Sequence, residues 1–458
     1  MIILIVLVPL TLVSSAQAKP QDGEASTITW SQTYQDRGPS DQAMSVLQTS
    51  DKGFVVAGHS VGGWVFKLDL RGSVEWERGL VPTGYSNAWA DSVEETRDKG
   101  YIVGGSALGA ASYDAWLVKL DHKGNVQWSK TFGGPGEDGF SSVHQTSDDG
   151  YIAAGDTGSF GPGVQYSAIT AWVFRLDPVG NVLWAKDYGA DEADSVQQTN
   201  DGGFIVAGTV AVGSLPSADA WVFKLDPDGN MVWQKGFGIT IDNRAKSVQQ
   251  TQDGGYVVVA EKITLGPVEN FLSSEALILR LDADGNLLWQ RAYAGGGFTQ
   301  PHSIRTTSDG GFIVASRANP GGPFLLKLDA VGNMVWQRTY GGRGEFFFGA
   351  NQDQDGGFIV AGWLFTQGGA WVLKLDSQGG IRGCPLGVPA NGTITDTNAT
   401  IVDTMVQGLS IRATMTQTSV EVVTTQATIQ AQCLGTKGKN ATREKGDGND
   451  TQRNRFPS

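Results

Sequence analysis

The chain has 458 residues, a formal net charge of −13 and 63 glycines. That balance excludes a nucleic-acid binder, whose phosphate contacts need clustered Lys and Arg, and describes a soluble, self-repelling surface. Many aromatics and glycines with few helix-forming runs indicate an all-β protein rich in tight turns.

Residues 1–18, MIILIVLVPLTLVSSAQA, read as a secretory signal peptide: a short apolar run ends in the small residues Ala16-Gln17-Ala18. The run is too short to span a membrane, and no later segment is long enough. No Lys or Arg follows Met1, which leaves room for a start upstream of it. A mature protein beginning near Lys19 is expected outside the cytoplasm, secreted or held at a cell surface.

From Ser26 to Gly383 one unit repeats. Its clearest copy is AWVFKLDPDGNMVWQKGFG, Ala220 to Gly238. Apolar residues alternate through Trp221, Phe223 and Leu225 and again through Met231 and Trp233, the period of half-buried strands. Asp226-Pro227-Asp228-Gly229 supplies the turn. Seven copies are anchored on Asp69, Asp121, Asp177, Asp226, Asp282, Asp329 and Asp376. Upstream of each is a second hairpin such as SVQQTNDGGFIVAG, whose relatives begin at Ser45, Ser92, Ser142, Ser195, Ser247, Ser303 and Gly349. Four short strands in a repeat of about 50 residues describe the blade of a β-propeller.

The tryptophan that ends each repeat stands at Trp76, Trp128, Trp184, Trp233, Trp289 and Trp336 and is missing from the seventh copy. The N-terminal STITWSQTY supplies it as Trp30. The expected fold is therefore a seven-bladed β-propeller over 26–383, closed by an N-terminal strand, with blade 7 completed by residues 26–34 beside Trp371 to Asp376. Such closure removes two exposed sheet edges. The TSDGG and DxxGN turns keep a fixed length and share one face. The other two connections of each blade vary in length and meet on the opposite face, where function on rigid scaffolds concentrates.

After Gly383 the composition turns to Thr and Val. Residues 384–435 are expected to form a few strands folded against the propeller or a small β appendage, closed by a Cys384–Cys433 disulfide, these being the only cysteines. Residues 436–458 have almost no apolar side chains and read as a disordered tail. Four sequons, at Asn391, Asn398, Asn440 and Asn449, lie beyond the repeats.

Candidate chemistry is sparse. Gly58-His59-Ser60-Val61-Gly62 fits a nucleophile elbow, but a strand follows it where that motif needs a helix. Asp226-Pro227-Asp228-Gly229-Asn230 and Asp282-Ala283-Asp284-Gly285-Asn286 carry the alternating oxygens of a calcium loop. The other five copies lack the second carboxylate, and turn chemistry accounts for these residues. His59, His122, His144 and His302 show no metal-ligand spacing. Twelve of the fourteen tryptophans occupy repeat positions and read as packing. Trp89 and Trp363 do not. With Arg343, Phe346, Phe347, Phe348 and His59 they could form an aromatic crescent across blades 7, 1 and 2, either as a ligand platform or packed under the appendage. Asp41, Asp138, Asp191 and Glu345, with Asn243 in the fifth copy, recur four residues before the first strand. They either ring the channel mouth or cap a tight loop.

Written as SVQQTxDGGFIVAG…AWVFKLDxxGNVxWxKTYGG, the repeat resembles that of exported prokaryotic β-propeller repeat proteins, a group that brings no catalytic residues with it. The LDxxGNVxW hairpin is also similar to the tryptophan-docking motif of quinoprotein propellers. It departs in the Asp-to-Trp spacing, in having seven repeats rather than eight, and in lacking adjacent cysteines. Gly104-Gly105 is similar to the kelch glycine pair.

These readings converge on a non-enzymatic, monomeric exported propeller that binds a protein or carbohydrate through its variable loop face. No cofactor is expected, neither calcium nor a quinone. The alternatives are a propeller enzyme, either a quinoprotein-like oxidoreductase or a polysaccharide-active hydrolase or lyase, and a purely structural surface protein.

Overall fold

The computed structural model describes residues 28–434 except 37–39, 61, 161–168, 190–191, 212–217, 239–241, 266–271, 295–296, 343, 367, 385, 390–392, 397–399, 403–408, 411–413, 418–419 and 424–427. The signal-peptide segment, the tail, Asp191, Arg343 and the four sequon asparagines lie outside the described residues.

The described residues form strands and turns without a helix. Each repeat becomes an antiparallel meander; in the first, Gln42–Gln48, Phe54–Ser60, Gly62–Leu68 and Val74–Pro82 pair in chain order. The fourth and fifth meanders are joined by a single parallel pairing of Ala218 with Asp242. The seven innermost strands are Gln42–Gln48, Asn87–Glu95, Asp138–Gln145, Glu192–Gln198, Asp242–Gln250, Gly297–Thr306 and Phe346–Gln352. Each lies against the next, and the seventh lies against the first.

Repeated side chains explain the spacing. In the first hairpin a threonine caps its own turn, as Thr199 donates to Asp201 Oδ1 at 2.5 Å. That aspartate receives the buried lysine of the third strand, Lys224 Nζ to Asp201 Oδ2 at 2.9 Å. Lys67–Asp51, Lys119–Asp98, Arg175–Asp148, Arg280–Asp253 and Lys327–Asp309 repeat the pair. Burial raises the Asp309 carboxyl, but hydrogen bonds from Thr307 and Lys327 outweigh it and hold the group down to about 2. The second glycine of the turn is compulsory, since a Cβ on Gly203 would meet the Leu225 carbonyl oxygen at 2.2 Å.

The terminal glutamine of the innermost strand links neighbouring sheets. Gln145 Oε1 accepts from Arg97 N, Gln198 Oε1 from Ser147 N and Gln250 Oε1 from Asn200 N. Glu95 takes the same role toward Ser50 N. The series closes on itself, because Gln354 N in the seventh repeat donates to Gln48 Oε1 in the first at 2.7 Å.

The hairpin Asp-x-x-Gly-Asn is a turn, as its composition predicts. Asp226 Oδ1 accepts from Asp228 N and Asn230 N, and Asn230 Nδ2 donates to Asp226 Oδ2. Its carboxyl oxygens are occupied by its own loop. The glycine faces the closing tryptophan of the previous sheet: a Cβ on Gly229, where φ is +73°, would lie 2.9 Å from the Trp184 ring. Trp30 has the same relation to Gly72, and its Nε1 donates to Leu70 O at 3.0 Å. The strand Trp30–Gln35 pairs antiparallel with Ala370–Leu375 of the seventh sheet, Trp30 opposite Lys374 and Tyr34 opposite Ala370.

Of the two expectations for residues 384–435, strands folded against the repeats or a small separate appendage, the first is observed, spread over all seven sheets. Val388–Pro389, Thr393–Asp396, Thr400–Val402, Leu409–Ser410, Thr414–Gln417 and Val420–Val423 join the outer edges of the sixth, fifth, fourth, third, second and first sheets in turn. Thr428–Leu434 then pairs with Trp30–Gln35 on the seventh. The chain therefore passes round the whole periphery against the order of the repeats, giving every sheet a fifth strand. Each outermost strand offers an unpaired edge, and a Thr/Val segment of two to seven residues satisfies it locally. Sequence patterning gives the strands but not their partners.

Candidate functional site

Every innermost strand carries a β-bulge at the same place, one residue before its serine. Register shifts fall between Ala43 and Ser45, Ala90 and Ser92, Phe140 and Ser142, Ala193 and Ser195, Ala245 and Ser247, Pro301 and Ser303, and Phe347 and Gly349. A bulge re-aims the extra side chain. Here the extra residues are Met44, Asp91, Ser141, Asp194, Lys246, His302 and Phe348, and all seven line one central cavity of about 470 Å³. At this position the seven repeats carry six residue types, Asp occurring twice, whereas the next residue is Ser in six copies and Gly in the seventh.

The cavity is internally paired. Lys246 Nζ, from the fifth sheet, meets Asp194 Oδ1 of the fourth at 3.0 Å and Glu192 Oε2 at 3.6 Å. Asp91 Oδ1 contacts His59 Nε2 at 2.9 Å, and Glu94 Oε2 contacts His144 Nδ1 at 2.6 Å. Asp194 Oδ2, His302 Nε2 and Ser303 Oγ are sealed from solvent with no hydrogen-bond partner. Burial, reinforced by Lys246 and Arg317, holds the His302 imidazole down to about 4, so the ring is neutral at pH 7. Burial likewise pushes the Asp156 carboxyl up to about 7, helped by Glu192, Asp194, Asp138 and Asp91.

A raised carboxyl stabilises the fold below its unfolded value of about 3.9, and that contribution is lost as pH climbs through about 7. Asp156→Asn is expected to remove this loss and gain about 1–2 kcal/mol over wild type at pH 8, with little difference at pH 4. Urea titrations at both pH values check it; an equal difference at the two would contradict the assignment.

The aromatic crescent divides in two. Phe346 stacks on Trp363 at 5.5 Å and on Phe348 at 5.7 Å, with the Arg317 guanidinium 4.0 Å over its ring and His302 5.2 Å from Phe348. Separately, Trp89 meets Tyr113 at 5.0 Å and His59 at 6.2 Å, centroid to centroid. Met44 of the first sheet intervenes in the ring of innermost strands between Phe348 and Asp91. Phe347 does not join either group: strand alternation turns it into the core against Tyr340 and Trp371, with no exposed surface. The acidic positions cap loops rather than ring the mouth. Asp41 accepts from Asp36 N, Asp138 from Gly134 N and Ser159 Oγ, and Glu345 from Gly342 N and Thr366 Oγ1, all three carboxylates being buried. Asn243 is also buried.

The sequence singles out Phe348, in the aromatic crescent, and names His302 among the histidines; the other five bulge residues escape it because they sit inside a strand and not in a variable loop. Aligning the repeats residue by residue exposes the signal, an unmatched column before an almost invariant serine, with a second two residues after it (Leu47, Glu94, His144, Gln197, Gln249, Arg305 and Asn351). Among the described residues no group of three or more His, Cys, Asp or Glu is placed to hold a metal ion, and no helix is long and apolar enough to cross a membrane.

Antiparallel four-stranded meanders set side by side around a central channel define a class, the β-propeller-like proteins. No protein-family model and no curated protein matches the chain. Solved structures with a similar course include Sqt1 from Chaetomium thermophilum bound to the N-terminus of ribosomal protein L10. It is 12% identical with a TM-score of 0.46, over 75% of this chain and 98% of that one. The PQQ domain of pyranose dehydrogenase from Coprinopsis cinerea is 12% identical with a TM-score of 0.36, over 74% and 93%. The periplasmic gluconolactonase PpgL of Pseudomonas aeruginosa is 13% identical with a TM-score of 0.35, over 81% and 100%. At such values the likeness carries no functional argument.

Proposed function

We propose that this chain is an exported, monomeric, non-enzymatic seven-bladed β-propeller, closed by its N-terminal strand, that binds a protein or carbohydrate partner at the mouth of its central channel. One observation carries the reading: the repeat is broken at the seven channel-facing bulges, where a scaffold with no ligand has no reason to vary. Each aromatic group touches the channel through one lining residue, Phe348 for Phe346–Phe348–Trp363 and Asp91, which contacts His59, for Trp89–Tyr113–His59. No cofactor is part of this reading. The N-terminal apolar run supports export, and Cys384, which is disulfide-bonded, fits an oxidising compartment. Its partner in this reading is Cys433, which would turn the peripheral strands into a covalently closed belt.

Glycan and peptide arrays probed with the mature protein test the function. Substituting Met44→Ser together with Phe348→Ala is expected to abolish capture, whereas changing exposed Val331 or Val335 to Ser leaves it intact. Capture unaffected by the channel pair would sink the reading. One observation favours an enzyme as the second reading: Asp156 carries a carboxyl pushed up to about 7 in an acidic neighbourhood, as a general acid requires. Hydrolysis of chromogenic glycosides that vanishes in Asp156→Ala would replace binding with catalysis.

A further inference from the structure

We propose that the channel cavity is a site for a monocarboxylate with an apolar body, the carboxylate seated on Arg305 and the body on Phe348, Met44 and Leu47. This rests on the binding function above and names the chemistry of the ligand.

Arg305 stands two residues beyond Ser303 on the sixth innermost strand, in the second unmatched column, so the repeat itself does not call for an arginine there. It lines the cavity and is half-buried, facing the enclosed space without being sealed from it. Of its guanidinium only Nη1 is bonded, to Ser247 Oγ at 3.0 Å and to Ile304 O at 2.9 Å. Nε and Nη2 also carry N–H donors, and among the described residues these have no acceptor. Other cations of the repeats are matched: Arg175 and Arg280 pair with Asp148 and Asp253, and Lys246 pairs with Asp194. Among the described residues no carboxylate lies within ion-pair distance of Arg305. Burial disfavours its charge, and Glu94 offsets this only through space. A guanidinium open to a cavity without a counter-charge is a receptor for an anion.

The remaining lining decides which anion. Asp91, Glu94 and Asp194 face the same space, in contact with His59, His144 and Lys246. With the imidazoles neutral, these carboxylates outweigh Lys246 and Arg305, so no general positive field draws polyanions in. Recognition is confined to the guanidinium itself, whose parallel N–H groups fit the oxygens of a single planar carboxylate. Sulfate or phosphate would bring more negative charge toward the same carboxylates. The apolar body follows from the order of the sheets. Going round the closed ring from Arg305, the seventh and first innermost strands present Phe348, Met44 and Leu47, and the acidic Asp91 and Glu94 come only on the second. Phe348 is stacked at 13° on Phe346, which Trp363 backs, so this platform is set before a ligand arrives. A volume of about 470 Å³ suits a small acid or the last residue of a chain, and is too small for a folded partner.

Isothermal titration calorimetry on the mature protein tests this with phenylacetate and hexanoate, against neutral phenylacetamide, the cation phenethylamine, and sulfate. N-acetyl-glycyl-phenylalanine, as free acid and as amide, distinguishes a carboxylate at a chain terminus from a free small acid. Each is taken to about 10 mM, at which a Kd of about 1 mM gives near-saturation. At least one of the two small acids is expected to bind, with phenylacetate at least about tenfold tighter than phenylacetamide. Arg305→Gln is expected to remove that advantage and leave the amide unchanged, and Arg305→Lys, which keeps the charge without the fork, to restore only part of it. Phe348→Ala is expected to weaken acid and amide alike. Binding of the dipeptide acid as well as the small acids supports a partner's C-terminus as the source; binding of the small acids alone supports a free acid. Equal binding of phenylacetate and phenylacetamide by wild type overturns the proposal without recourse to any variant. Binding of neither acid, binding of sulfate or phenethylamine in their place, or undiminished acid binding by Arg305→Gln with a wild-type unfolding midpoint overturns it also. Partner capture on the arrays that survives these failures would leave the broader binding function standing.

Discussion

Trp30→Ala is expected to destabilise the protein by about 3–5 kcal/mol, the range for removing a large buried aromatic. Trp30 is 1% exposed. It packs edge-on to Phe54 at 6.0 Å and shares a cluster with Leu68 of the first sheet and Ile359 and Val372 of the seventh. Its indole N–H is bonded to Leu70 O, so truncation also leaves a half-buried carbonyl without that donor. The residue therefore fastens the seventh sheet to the first. Because both the strand pairing and the sheet-to-sheet contact depend on it, the loss should appear as a lower urea midpoint with an early loss of amide protection in 30–35 and 370–375. Trp89→Ala, in a half-buried ring at the channel mouth, is the control and should cost less than about 1 kcal/mol. Equal effects of the two would contradict the closing role of Trp30.

Cys433→Ser should cost about 2–5 kcal/mol, the range for removing a native disulfide, with a loop of about 50 residues predicting roughly 4. In the proposed bridge to Cys384 the loop passes the outer edge of every sheet before it closes, so its opening releases strands on all of them. Hydrogen exchange should accelerate throughout 388–434, not only beside the cysteine. Wild-type protein in reductant should match the variant. A non-reducing peptide map without a Cys384–Cys433 pair, or an unchanged midpoint, would refute the bridge. The physical reason for a large effect is the shortness of the peripheral strands. Pieces of two to seven residues do not persist alone, and their pairing depends on being held near the sheets.

Much of the architecture is legible in the repeat. The Lys or Arg before the LD of the third strand and the Asp of TSDGG are far apart in the unit, yet a cation and a carboxylate recur there in every copy, matching ion pairs such as Lys224–Asp201 and Arg175–Asp148. The absence of a seventh closing tryptophan, with STITW at the other end of the chain, anticipates that Trp30 pairs with the strand of Trp371. The candidate site was legible only in part. Trp363 and Phe346 to Phe348 were singled out because they break the pattern, but whether a side chain faces the core or the channel depends on one residue of register. Phe347 points inward and Phe348 outward for that reason alone. The acidic residues Asp41, Asp138 and Glu345 recur because the same loop needs the same cap, which spacing by itself does not separate from a ring of charge at the channel mouth.

The local code of this chain, read unaided, specifies what depends on neighbours in sequence: strand periods, turn glycines, repeat number and the threonine and aspartate caps. Tertiary structure alone decided two things. The bulge in each innermost strand turned one column, in which Phe348 and His302 stand out by sequence and Met44, Asp91, Ser141, Asp194 and Lys246 do not, into the lining of one cavity. The open outer edges of the sheets drew the Thr- and Val-rich segment after residue 387 into a circuit of the whole protein. Both outcomes come from contacts between residues tens to hundreds of positions apart. Backbone groups left unpaired by one repeat are satisfied there by whatever the closed ring brings beside them.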